Sequence, residues 1–312
     1  MIRTGEQGAR SKEQAQGGVC VLHLASKERG FTLVEMIMVI VITGIIGGIV
    51  AIFIRAPVQG YVDSARRAEM TDIADTALRR ITRDLRLALP NSVRVNTSGA
   101  GVSTIYYLDF LSTSGGGRYR AAGTGTVYCA AAAPTNYDAL LFTVTDTCFE
   151  ILGPQMQFQA NDQVVIYNLG IPGADAYEGN TAATHVRRAY AGATAAPVSF
   201  VLLASANPFP FESPLQRFQV VHEQTRYICD PVAHTLTRYW WAGNAVVVPS
   251  ATVPSGVGVG SALLATNVST CKFTYDANVV AQRSGLVTMN LGITESNETV
   301  TLYSAAHVSN VP

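Results

Sequence analysis

The sequence predicts an α+β protein: a long N-terminal helix, transmembrane at first and amphipathic later, packed on an antiparallel, β-rich C-terminal head. Three observations predict it. Met36 to Ile54 is an apolar run of nineteen residues without a charge. Ala74, Leu78, Ile81, Leu85 and Ala88 recur at three- and four-residue steps, which marks one apolar helix face. From Asn91 onward, short apolar runs alternate with clusters of Gly, Ser, Asn and Pro, and no second helix of comparable length follows.

The apolar run comes first. As a helix it would span roughly 29 Å, close to the hydrocarbon thickness of a bilayer. It is rich in Ile and Val, which favour strands in water. A lone segment in lipid must close its own backbone hydrogen bonds, so the helix wins there. Gly44, Gly47 and Gly48 offer small surfaces where another helix can approach closely. Residues 1–30 carry Arg3, Arg10, Lys12, Lys27 and Arg29 against Glu6, Glu13 and Glu28. The basic pair beside the run predicts that this end stays cytoplasmic and that the head crosses the membrane.

Pro57 should kink the helix or end it, but the periodic pattern resumes at once. Asp63/Arg67, Asp75/Arg79 and Arg80/Asp84 place opposite charges four residues apart on the polar faces. Pro90-Asn91 ends the pattern. The prediction is one helix from Phe31 to about Leu89, roughly 90 Å long if straight. Its run of Arg79, Arg80, Arg83 and Arg86 reads as a solvated face, not as a nucleic-acid patch, because aspartates are interleaved with it.

The head, residues 90–312, is predicted to hold strands at Thr104–Leu111, Leu140–Val144, Gln163–Tyr167, Ser199–Leu203, Arg217–Val221, Thr225–Cys229, Leu236–Trp241, Cys271–Tyr275, Leu286–Ile293 and Thr299–Ser304. Cys229 to His234 reads as a hairpin tip. Ser114–Gly117 and Pro254–Gly258 read as flexible loops. This argues for a helix whose second half covers an antiparallel sheet.

Composition narrows the function. The formal net charge is zero and only 14% of residues are charged, against about 25% in a typical soluble domain. Nothing global points to nucleic acid or to an acidic substrate. A weakly charged, Thr/Ser-rich surface suits an exported protein or an assembly subunit. Cys20 precedes the apolar run; Cys129, Cys148, Cys229 and Cys271 follow it, with no zinc-like spacing and no CxxC. If exported, these four form two disulfides in one of three pairings. The sequence-local pairs, Cys129–Cys148 and Cys229–Cys271, are favoured.

A secretory signal would place a small-residue cleavage site after the apolar run. Here Arg55-Ala56-Pro57-Val58-Gln59 follows it, while Arg29-Gly30 precedes Phe31 ahead of it. A lipoprotein signal is disfavoured too, because no apolar segment precedes Cys20. The stretch RGFTLVEMIMVIVITGII resembles the class III leader of type IV pilins and pseudopilins, in which Gly −1 and Phe +1 are followed by a Thr-Leu-Val/Ile segment and Glu +5. Gly30, Phe31, Thr32, Leu33, Val34 and Glu35 match it position by position.

The resemblance implies that residues 1–30 are a cytoplasmic leader, that a prepilin peptidase/N-methyltransferase cuts between Gly30 and Phe31, and that Phe31 is then N-methylated. It implies residues 31–54 as transmembrane segment and filament core, within a helix over 31–89. Its further implied partners are other major and minor pilins and an inner-membrane assembly platform with an extraction ATPase. The destination is the inner membrane, single-pass with a periplasmic head, and then a pilus or pseudopilus fibre.

Glu35 fits this scheme physically. A carboxylate in hydrocarbon costs a few kcal/mol unless it has a partner. Cleavage creates an ammonium on Phe31, and in a packed bundle one subunit's Glu35 can meet its neighbour's Phe31 amine.

More weakly, the segment from Ser213 to Trp240, the CKFTYD from Cys271 and the HVSNVP ending resemble the minor pilins of MSHA-pilus biogenesis. That likeness makes Cys229–Cys271 the better of the two disulfides, and the size of the head suits a minor or initiating subunit. The rivals are a minor pseudopilin of type II secretion and a simple N-terminally anchored periplasmic protein. No catalytic motif is found. His23, His185, His222, His234 and His307 are scattered, and the patterns of metalloproteases, serine hydrolases and P-loops do not occur. Gly256, Gly258 and Gly260 lack a strand-to-helix context. Asp175, Glu178 and Asn180 could be thought to hold calcium, but their spacing is not that of an EF-hand and they read as loop polarity. The expectation is a structural subunit with no metal or cofactor.

Overall fold

The computed structural model describes residues 30–123, 138–179, 185–277 and 283–312. The chain divides into two compact units, Met1–Gly60 and Tyr61–Pro312. One helix, α1 (Leu33–Leu85), supplies residues to both. It begins where Thr32 caps it: the Thr32 hydroxyl accepts from the Glu35 N–H at 3.3 Å. The Thr32 carbonyl also accepts from the N–H groups of Glu35 and Met36. Pro57 lies inside the helix without ending it. Proline removes one donor, and the helical residues on both sides carry the backbone past the gap.

In the second unit α1 buries Met70, Ala74, Ala77, Leu78, Ile81 and Leu85. The helix stops at Leu85, four residues before the predicted end. Ala88 instead bridges Ser112, and the backbone N–H of Leu89 donates to the Leu111 carbonyl. The chain has by then joined the sheet edge.

The strands are β1 (Arg94–Ser98), β2 (Ile105–Tyr119), β3 (Cys148–Leu152), β4 (Gln163–Val165), β5 (Arg187–Ala189), β6 (Phe200–Leu202), β7 (Arg217–Asp230), β8 (Thr235–Ala242), β9 (Gly260–Thr266), β10 (Val268–Asp276), β11 (Ser284–Glu295) and β12 (Glu298–Ser309). Nine form one sheet, with a path β5-β4-β7-β2-β3-β6; β1 adds to β2, β8 to β7 and β9 to β8. The other three form a meander, β10-β11-β12. Every strand pair is antiparallel. The fold is therefore α+β, a helix and antiparallel sheets.

The main core lies between the α1 face and both sheets. It joins Ala74, Leu78 and Ile81 to Leu108, Phe110 and Tyr227 of the large sheet and to Phe273, Met289 and Val308 of the meander. A second cluster, rich in aromatics, gathers Tyr119, Phe149, Phe158, Phe209 and Phe218. Phe149 meets Phe218 edge-on at 5.3 Å.

Several expectations differ from the structure. Ser114–Gly117, read as a loop, is strand within β2 and pairs with Gln219, Phe218 and their neighbours on β7. Glycine suits this position because a Cβ on Gly116 would stand 2.8 Å from the Phe218 carbonyl. Arg217–Val221 and Thr225–Cys229 are one strand, β7. The polar His222-Glu223-Gln224 between them is accommodated by partners. His222 Nδ1 lies 2.8 Å from Asp162, Glu223 accepts from Arg238 at 2.6 Å, and Gln224 accepts from the Val247 N–H at 2.9 Å.

Leu140–Val144 forms no strand. The Asp146 carboxylate accepts from the backbone N–H groups of Leu141 and Cys148 and shapes a turn instead. β1, β3, β5 and β9 lie outside the predicted strands. The Cys229–His234 hairpin tip does join β7 to β8, with His234 at φ 57°.

Two buried ionic clusters flank the core. Asp84 accepts from the Tyr227 hydroxyl at 2.7 Å and from Arg238 Nε at 2.9 Å, and Arg80 approaches it at 3.2 Å. On the opposite face of β7, Arg226 donates to Asp109 at 2.7 Å with both side chains buried. Burial pushes the Asp109 carboxyl up to about 6, against the pull of Arg226.

Candidate processing and assembly segment

Gly30 and Phe31 lie just before α1, and Glu35 sits in its first turn. All three are exposed, Phe31 at 78%. Among the described residues, its chain neighbours aside, no atom lies within 4 Å of where a Cβ on Gly30 would be. The described fold therefore sets no steric demand for glycine at that position. Glu35 forms no ion pair among the described residues. A carboxylate there complements the positive end of the helix dipole, though that does not require its placement beside a membrane-length apolar surface.

That surface is the second feature. From Leu33 to Ile54 the large apolar side chains are exposed, including Ile40, Ile45, Ile52 and Phe53. The span is long and apolar enough to cross a membrane, and none of it is buried. A soluble core helix would have its apolar face covered. A bare apolar helix of this length needs lipid or packed neighbours. A Cβ on Gly44, Gly47 or Gly48 would likewise meet nothing within 4 Å, so these positions remain open to close approach.

Residues 25–51 match the description of a prokaryotic N-terminal methylation motif. The chain carries a prepilin-type N-terminus. The motif supports a type IV pilin-like or pseudopilin-like protein, a structural subunit processed by a prepilin peptidase and assembled with other pilins. Together with the bare apolar helix, it fits a membrane-anchored pilin. No curated protein and no solved structure matches the chain.

The other sequence-predicted residues fall elsewhere. Cys229 and Cys271 form a disulfide, with Cα atoms 6.3 Å apart, that ties β7 to β10. Cys148 is buried and disulfide-bonded; Cys129, its expected partner, lies outside the described residues. Asp175 pairs with Arg94 at 2.9 Å and accepts from the Tyr177 N–H. Glu178 accepts from the Gly173 N–H at 3.1 Å. Both carboxylates thus shape their own loop, and Asn180 lies outside the described residues. Among the described residues no group of three or more His, Cys, Asp or Glu is placed to hold a metal.

The expected Asp63/Arg67 pair is replaced. Asp63 pairs with Arg66 at 3.3 Å, and Arg67 reaches Glu298 on β12. Asp75/Arg79 and Arg80/Asp84 form as expected. Sequence reasoning missed the role of Arg238, whose only signal was a basic residue within an apolar strand.

Proposed function

We propose that this chain is a minor subunit for assembly of an MSHA-type type IV pilus, of the MshO type. The leader through Gly30 is removed on the cytoplasmic side and Phe31 is N-methylated. The apolar half of α1 then passes from the bilayer into a bundle of pilin helices, so that its surface is never left in water. The head is displayed on the fibre.

The observation that carries this reading is the conjunction of Gly30-Phe31 with Glu35 at the start of a helix whose apolar stretch, to Ile54, is uncovered. A simple anchor needs neither the glycine nor the carboxylate. Glu35 supplies the register: in a low-dielectric bundle its charge is compensated by the Phe31 ammonium of a neighbouring subunit. The MSHA assignment rests on the resemblance of the segment Ser213 to Trp240 and of the C-terminal HVSNVP.

Mass spectrometry of the chain isolated from membranes should find N-methyl-Phe31 as its first residue. An N-terminus ahead of Phe31 would overturn the reading. Glu35→Leu should be cleaved and inserted as before, yet lose incorporation into fibres at least ten-fold. Deletion of the gene should abolish pili and leave type II secretion intact; the reverse phenotype would reassign the chain to a pseudopilus.

A further inference from the structure

Across the β7–β8 ladder Arg226 stands opposite Tyr239 and Gln224 opposite Trp241, so Arg226, Gln224 and Trp241 point to one side of the sheet. Tyr227 points to the other, where its hydroxyl reaches Asp84 of α1. Over the first side runs the connection from β8 to β9, residues 243–259. Two hydrogen bonds hold it there. The Val247 N–H donates to Gln224 at 2.9 Å, and the Thr252 carbonyl accepts from Arg226 Nη1 at 2.7 Å. A cleft of about 370 Å³ is lined by Arg226, Trp241, Val247, Val253, Val257 and Val259. Its size is in the range of small-ligand sites.

Two buried side chains of this cleft each keep a donor that the fold does not use. Arg226 is 2% exposed. Its Nε donates to Asp109 and its Nη1 to Thr252, but Nη2 has no acceptor among the described residues. Trp241 is 5% exposed, and its indole Nε1 has no acceptor there either. The guanidinium carbon lies 5.7 Å from the centre of the indole ring, so both donors belong to one small region. Folded proteins pair nearly all buried donors, and leaving one unpaired costs more than a typical hydrogen bond contributes. Two such donors on the lining of one cleft call for an acceptor oxygen from outside the chain.

The surroundings narrow the chemistry of that oxygen. Asp109, with its carboxyl at about 6, is ionised at neutral pH and already balances the charge of Arg226. A second anion would meet it at low dielectric, so a neutral acceptor is favoured. The walls are aliphatic, and Val247, Val253 and Val257 are exposed. A sugar ring finds no open aromatic face, because Trp241 is buried. An amide carbonyl has two lone pairs for the two donors, and a branched aliphatic side chain beside it suits the valines. We infer that the cleft binds a peptide unit of a partner protein's extended aliphatic segment, its carbonyl oxygen accepting from Arg226 Nη2 and Trp241 Nε1 and its side chain lying among the valines. The cleft lies wholly in the head, so this binding does not depend on which fibre the chain joins.

The test uses the full chain in detergent micelles. It contains two tryptophans, Trp240 and Trp241, so Trp240→Phe assigns the two indole N–H resonances. The probe is N-acetylvaline methylamide. It should move the Trp241 resonance downfield and saturate with a dissociation constant on the order of 1 mM. N-acetylglucosamine and isovalerate should bind at least about ten-fold more weakly. Val253→Trp, which crowds the cleft from an exposed wall position, should weaken the probe by about ten-fold or more and leave the melting transition of the head unchanged. Trp241→Phe should weaken it similarly, read by saturation transfer to the methyl groups of the probe. If none of the three compounds moves the Trp241 resonance, the two donors hold an ordered water only and the proposal is overturned. Tighter binding of the sugar would make this a glycan site, and tighter binding of isovalerate a carboxylate site; either result refutes the peptide ligand. Undiminished binding of the probe to the Val253→Trp chain would place it elsewhere and refute the cleft.

Discussion

Asp109 shows how a single buried group in the head responds to pH. Burial pushes its carboxyl up to about 6 from 3.8, with Arg226 partly offsetting the shift. Between those values the folded chain holds a proton that the unfolded chain releases. The resulting stabilisation is complete below about pH 4 and is lost as pH rises through 6. Asp138 is pushed the same way, to about 6, by burial and then by Asp146 and Glu150. Thermal melts of the full chain in detergent micelles should therefore show stability declining across this window. Asp109→Asn should remove on the order of 3 kcal/mol of that decline and leave the share of Asp138. An unchanged slope in the variant would show that Asp109 is not protonated there. At Gly30 and Glu35, by contrast, no side-chain contact among the described residues explains the residue, and the proposed roles in processing and assembly would.

At the scale of elements, α1 changes its solvent along its length. Up to Ile54 its apolar residues are bare, and from Met70 onward one face is buried against sheet. Periodicity made the second half legible because a half-buried helix writes its burial into the spacing of apolar residues. Ile81, fully buried in that face, is a direct probe. Ile81→Ala should cost about 2–5 kcal/mol through lost contacts and a residual cavity, measured as a shift in the head's melting transition. Insertion and processing at Phe31 should be unchanged. The strands were read less completely. β3 and β5 are short, and β7 runs through three polar residues whose partners come from distant chain segments. No local pattern reports such partners.

For the whole molecule, two sheets are drawn into one core, and the Cys229–Cys271 bond links them across 42 residues. Converting both cysteines to serine should cost about 2–4 kcal/mol, and reductant should lower the melting temperature of the parent chain at least as much, because it also opens the disulfide of Cys148. If reductant has no effect, the link contributes nothing to the head. Taken alone, the sequence determined the α+β class, the membrane-length run, the prepilin-like N-terminus and the amphipathic half of α1. Each of these is carried by neighbouring residues, through hydrophobic period, charge placement or a contiguous motif. Only the tertiary structure decided that Gly115–Gly117 is strand, that Asp84 anchors Arg238 and Tyr227, and that Arg67 turns from Asp63 to Glu298. Those outcomes depend on which distant segments arrive alongside. A residue's neighbours in space, unlike its neighbours in sequence, are set by the packing of the entire core.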